Sequence, residues 1–149
     1  MFKTTPTAPL WLTLSGILPF IGLAGGVLWF REDIALSITF ALWLLIYAAV
    51  IASFVAGIRW GVEIARNETP SAVILALSVT PPLLTWLTVG LYFRYPSRPE
   101  GFLALAVVFA ALYAWDRGSQ NLPDWYRNLR IWPTLGAALS LLVAYALLR

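Results

Sequence analysis

The sequence predicts an all-α fold, a polytopic transmembrane helical bundle of five spans with a short interfacial amphipathic helix before the last span. Two bulk observations and one pattern predict it. Of the 149 residues, 60% are hydrophobic and 11% charged, whereas an average soluble domain is roughly a quarter charged. The charges fall in short clusters, and the uncharged runs between them approach membrane-crossing length. We therefore expect a single integral membrane domain over residues 1–149, with spans of about 9–30, 34–58, 71–93, 100–116 and 132–148.

Met1 to Ala8, with Lys3 and two Thr-Pro steps, reads as a short flexible lead. Pro9 to Phe30 is 22 residues without a charge, enough to cross roughly 30 Å of hydrocarbon at about 1.5 Å per residue. It is too long for a signal peptide, and no Ala-x-Ala pattern follows it. Pro19 predicts a kink, because a mid-helix proline removes an amide donor. Gly22 and Gly26 form a GxxxG, the spacing that lets helix backbones approach closely in lipid. Arg31-Glu32-Asp33 makes a charged turn, and Ile34 to Ile58 supplies 25 uncharged residues before Arg59. Thr69-Pro70 favours extended backbone before a new start. Ser71 to Phe93 is the third span, and adjacent Pro81 and Pro82 predict a distortion within it, either a helix break that lines a site or, the favoured reading, a bend for packing.

After the basic turn Arg94 to Pro99, Gly101 to Trp115 offers only 15 uncharged residues, a rise of roughly 22 Å against the roughly 30 Å required. Either the membrane thins, the helix end is covered by protein, or Asp116 and Arg117 sit slightly inside the hydrophobic boundary as a pair; an Asp116 partly covered by neighbouring helices is the favoured reading. Asn121 is expected to N-cap a helix with Asp124 at its positive end. Trp125 to Trp132 mixes aromatic and basic residues suited to the headgroup layer. Pro133 should end or kink that helix before the last span, which runs to Leu148.

The residues that invite a functional reading surround Ser53-Phe54-Val55-Ala56-Gly57-Ile58-Arg59-Trp60-Gly61-Val62-Glu63. Arg59 and Glu63 are four apart and share a helix face, so they can pair. Behind Arg59 lie Ala48, Ala52 and Ala56, and a second small stripe reads Ala49, Ser53, Gly57, Gly61, both suited to close helix packing. An arginine here either snorkels to the interface or faces a polar cavity between helices. Five spans would bring Arg59, Glu63, Asp116, Asp124, Arg127 and Arg130 to one membrane face. With Trp60, Trp125 and Tyr126 they are the expected charged cluster, holding a ligand or partner or acting as a structural clasp. Whether Arg59 pairs with Glu63 or with Asp116 stays open.

That face carries six basic residues, Lys3, Arg59, Arg66, Arg117, Arg127 and Arg130, against Arg31, Arg94, Arg98 and Arg149 on the other. The positive-inside rule then puts the N-terminus in the cytoplasm and the C-terminus outside, and a bacterial inner (cytoplasmic) membrane is the expected location. The net charge of +3 is scattered and forms no basic patch, which excludes nucleic acid as a partner. The chain has no cysteine and no histidine, which removes thiolate nucleophiles, imidazole bases and the usual zinc ligands. No metal or cofactor is expected, and an enzyme is disfavoured, with Glu63, Asp116 and Asp124 as the only acids near the site. The expected partners are the bilayer, a second copy or another membrane protein, and a lipid headgroup or small anion.

Leu14-Ser15-Gly16-Ile17-Leu18-Pro19-Phe20, the block from Ser53 to Gly61, Ser78-Val79-Thr80-Pro81 with Trp86, and Asp116 with Pro123-Asp124-Trp125-Tyr126 and Leu129-Arg130 together resemble the domain-of-unknown-function family numbered 3429, which includes relatives of the eukaryotic transmembrane protein 69. The resemblance covers nearly the whole chain. It implies a multi-span membrane protein with weight on those blocks and brings no established activity. The residues themselves favour a binding or accessory protein, for assembly or lipid interaction, with a cytoplasmic-side charged cluster. The alternative is a transporter or conduit for a small anion that uses Arg59 and the Pro81-Pro82 break.

Overall fold

A computed structural model describes residues 5–149, so Lys3 and the start of the expected lead lie outside the described residues. The described chain is helical, in the order α1 (Thr7–Ser15), α2 (Ile17–Trp29), α3 (Ile34–Arg66), α4 (Ala72–Arg94), α5 (Glu100–Gly118), α6 (Asp124–Leu129) and α7 (Ile131–Leu148). Taken together, α1 with α2 and α6 with α7 make one span each, and with α3, α4 and α5 they give five segments long and apolar enough to cross a membrane. Short connections run successive spans in opposite directions.

The prolines act differently from expectation. The kink expected at Pro19 falls at Gly16, between α1 and α2. Pro19 is then the third residue of α2, where an amide has no intrahelical partner to lose. The Tyr47 hydroxyl, from α3, donates to the Gly16 carbonyl at 2.9 Å and pins the break. The same device recurs at the other end of the chain. There α6 stops at Leu129, Arg130 is the junction, and Pro133 is the third residue of α7. At Pro81 and Pro82, by contrast, α4 remains one helix, so of the two distortions expected there the helix break is absent. Around them Ser78, Thr80, Thr85 and Thr88 each donate a hydroxyl to a carbonyl three or four residues earlier, at 2.8–3.0 Å. Such back-bonding bends a helix without ending it.

At 33 residues, α3 is about 50 Å long, well beyond the roughly 30 Å of hydrocarbon. It runs past Ile58 to Arg66, which keeps Arg59 and Glu63 on a continuous helix. Its start is capped by the Asp33 carboxylate, which accepts from the Leu36 amide at 3.1 Å. The expected cap at Asn121 is absent: Pro123 precedes α6, and the Asn121 amide donates to Ser119 Oγ at 3.3 Å. Proline's fixed φ already sets the chain up for the first turn.

The core lies between α2, α3, α5 and α7, around Phe20, Val27, Leu44, Leu45, Leu105, Phe109 and Leu141. Phe20 meets Tyr47 and Phe109 edge to face, with centroids 4.9 and 5.7 Å apart. The outer helix α4 packs chiefly on α3. Of the four glycines expected to pack, one does. Gly26 lies directly under the Phe40 ring, while Gly22, Gly57 and Gly61 have no neighbour where a side chain would start. Gly101 against Thr88 and Gly136 against Ile17 make the close approaches that the GxxxG pattern did not flag.

Candidate functional site

One face of α3 is buried along its length. Ala48, Ala52 and Ala56 are fully covered, and the same stripe ends in Arg59 and Glu63, which are 8% and 5% exposed. The alanines let α3 approach its neighbours closely, and that approach carries two charged groups out of solvent. From α5 comes Asp116, 1% exposed, and from the α6–α7 junction Arg130, 4% exposed. Arg130 Nε donates to Asp116 Oδ2 at 2.9 Å. The shortness of the fourth uncharged run is resolved here. Asp116 is covered by protein and neutralised by an arginine, so α5 can carry it to Gly118 without facing lipid.

Arg59 does not join that ion pair. Among the described residues the ion pairs are Arg130 with Asp116 and Arg127 with Asp124, so Arg59 pairs neither with Glu63 nor with Asp116. Its guanidinium instead lies over the Trp115 ring, 4.5 Å from the centroid. Nε and Nη1 are buried with no hydrogen-bond partner. Glu63 is occupied elsewhere. Its Oε1 accepts from the Ser71 amide at 2.7 Å, and its backbone carbonyl accepts from Asn67 Nδ2 at 3.1 Å. It therefore fastens the α3–α4 turn, with negative charge at the N-terminus of α4, where the helix dipole favours it.

Around Arg59 other polar atoms are equally unsatisfied: Asp116 Oδ1, Arg130 Nη2 and the Tyr126 hydroxyl are buried without partners. Arg59, Asp116 and Arg130 together carry one net positive charge. The stack on Trp115 contributes about 0.5–2 kcal/mol, less than the several kcal/mol lost when a guanidinium leaves water. The cluster thus has several spare donors against one spare acceptor, Asp116 Oδ1, and a spare positive charge.

Other expected members lie apart from it. Trp60 is 40% exposed on the outer side of α3. Asp124 is exposed and pairs with Arg127 within α6. Trp125 is half-buried and meets Tyr126 edge to face at 6.0 Å. Arg117 turns away from Asp116 and donates to Asn128 Oδ1 at 2.9 Å. Trp115 and Ser71 were missed by sequence reasoning, although Trp115 immediately precedes the acid that the short span singled out.

Beside the cluster, α4 and α5 diverge to leave a cleft of about 310 Å³. Leu77, Pro81, Leu84, Val108, Leu112 and Trp115 are among its walls. Its polar lining residue, Thr80, has its hydroxyl engaged with the Ala76 carbonyl at 3.0 Å.

The family model for proteins of unknown function DUF3429 matches residues 5–146. The chain belongs to the DUF3429 family. It is 30% identical to transmembrane protein 69 of Xenopus tropicalis over 144 residues, 93% of this chain and 54% of that protein. Against transmembrane protein 69 of Mus musculus the identity is 28% over 146 residues, 96% of this chain and 57% of that protein. The chain thus spans a little over half the length of these relatives. No solved structure matches it. With five spans and transmembrane relatives, the chain is an integral membrane protein.

Proposed function

We propose that this protein is a non-enzymatic binding or accessory protein of the membrane, whose charged cluster clasps an anionic group at one membrane face. One observation carries the reading: Arg59 is buried on Trp115 with two guanidinium nitrogens unpartnered, beside an Asp116–Arg130 pair that leaves the cluster net positive. An anion would supply both the missing acceptors and the missing charge, through charge-assisted bonds that are stronger than neutral ones. Arg59 and Arg130 would bind it, Tyr126 would donate its hydroxyl, and Trp115 and Asp116 would hold the arginines in place. The reading takes the membrane to be a bacterial inner membrane with this face cytoplasmic, an orientation supported by six basic residues against four.

The test is thermal unfolding of the detergent-solubilised protein with inorganic phosphate at constant ionic strength. A ligand at 100 times its Kd adds about 2.7 kcal/mol of stability, so the wild type should melt several degrees higher. Arg59→Gln should lose that response. An identical response in both proteins would refute the anion role of Arg59. The conduit reading draws less support, since α4 stays helical at Pro81 and Pro82 and the adjoining cleft is apolar. Liposome uptake of a small anion that Arg59→Gln abolishes would revive it.

A further inference from the structure

The cleft between α4 and α5 and the cluster around Arg59 have one wall in common. Trp115 lines the cleft and also carries the Arg59 guanidinium on its ring. Trp115 is the residue the two share: the Arg59 guanidinium lies 4.5 Å from its ring centroid, and the cleft's other walls are almost wholly apolar. We infer that the two form a single site for an anionic single-chain amphiphile bearing a phosphate. Its headgroup would sit on Arg59 and Arg130, and its acyl chain along Leu77, Pro81, Leu84, Val108 and Leu112. The inference rests on the proposed anion-binding role of the cluster and adds the class of molecule that carries the anion.

Size and chemistry limit the occupant. At roughly 30 Å³ for each water-sized group, 310 Å³ holds about ten methylene-sized groups, room for one acyl chain. Leu77, Leu84 and Ala111 are exposed on the cleft's rim, so a longer chain continues into the bilayer. The apolar lining gives the chain dispersion contacts but nothing that selects one lipid from another. Selectivity has to come from the head. The unpartnered donors, Arg59 Nε and Nη1, Arg130 Nη2 and the Tyr126 hydroxyl, match the several acceptor oxygens of a phosphate better than the single charge of a carboxylate. A choline-bearing headgroup would bring a second cation into a cluster that already has an excess of one.

The experiment measures binding to the full chain in detergent, by native mass spectrometry and thermal shift. The probes are a lysophosphatidate, the lysophosphatidylcholine of the same chain length, and inorganic phosphate. The wild type should bind lysophosphatidate at least tenfold more tightly than lysophosphatidylcholine. Arg59→Gln should erase that preference. Ala111→Trp, at an exposed position on the cleft's rim, should weaken lysophosphatidate at least tenfold yet leave the phosphate response intact; Leu84→Trp, on the opposite wall, serves as a second variant should the first fail to fold.

The outcomes separate the two layers. If phosphate stabilises the wild type through Arg59 but neither tryptophan variant weakens lysophosphatidate, the cleft inference is overturned and the anion role stands. If the wild type binds both lysolipids equally and ignores phosphate, the anion role itself fails, and this inference falls with it.

Discussion

Along α3 two stripes of small residues run at the same four-residue interval, and only one of them packs. Ala48, Ala52 and Ala56 are covered completely by neighbouring helices, and their stripe leads into buried Arg59 and Glu63. The second stripe, Ala49, Ser53, Gly57 and Gly61, ends with glycines that have open space around them. In a bilayer both stripes are equally suited to helix contact. What separates them is the chemistry at the end of each: the stripe that ends in charge must face protein, because an arginine and a glutamate facing hydrocarbon cost several kcal/mol more than the same groups covered by protein. The helix is thus oriented by its polar end, and the alanines are small because they lie on that side.

The strongest way to break this difference is to remove the charge that organises the buried side. Asp116→Leu leaves Arg130 without its partner, next to an Arg59 that already lacks one. Deleting one member of a buried pair typically costs about 3–5 kcal/mol, and we expect that loss in denaturant or thermal unfolding in detergent. A loss below about 1 kcal/mol would mean that water reaches Arg130 and that the cluster is not sealed. Crowding the packed stripe comes next. Ala52→Leu inserts three carbons where there is no exposure, and overpacking of this kind costs about 1–3 kcal/mol; an unchanged melting temperature would show that α3 is free to shift away from its neighbours.

Much of this arrangement is legible in the sequence, for reasons that also set its limits. Charge-free runs locate all five spans because the bilayer imposes a length, and the shortness of Gly101–Trp115 favours an Asp116 at least partly covered by its neighbours. The partner of that acid is not legible. Arg59 and Glu63 are adjacent by helical periodicity, a local rule, whereas Arg130 reaches Asp116 across a turn whose path depends on how α6 and α7 meet. Periodicity also says which residues share a face without saying which face points inward, so it offers Gly57 and Gly26 alike, yet only Gly26 meets a neighbour, the Phe40 ring. The prolines follow the same logic. Pro19 and Pro133 look like interruptions in a long apolar run, yet each sits in the first turn of a helix, and where a helix starts is settled by the tertiary contacts that hold the preceding break.

One such contact gives a smaller effect. The Tyr47 hydroxyl on the Gly16 carbonyl ties α3 to the break before α2, so Tyr47→Phe removes one hydrogen bond while keeping the ring on Phe20. A neutral hydrogen bond contributes about 0.5–1.5 kcal/mol net. The expected change is a lowered melting temperature with faster amide exchange confined to residues near Gly16; uniform exchange changes throughout the bundle would show that the break is held by other contacts.

The smallest expected effect belongs to the open stripe. Gly57→Leu places a side chain where nothing lies within 4 Å, so the isolated chain should tolerate it, and the better helix propensity of leucine favours the variant by up to about 1 kcal/mol. Phosphate binding at Arg59, two residues on and around the helix, should be unchanged. Any consequence then appears between chains: if a second copy or another membrane protein seats on Ser53, Gly57 and Gly61, the leucine pushes the helices apart and the assembly dissociates, as read by mass photometry in nanodiscs or by single-molecule bleaching. Unchanged assembly together with unchanged stability would leave this face to lipid alone. The binding role would then rest entirely on the charged side of α3.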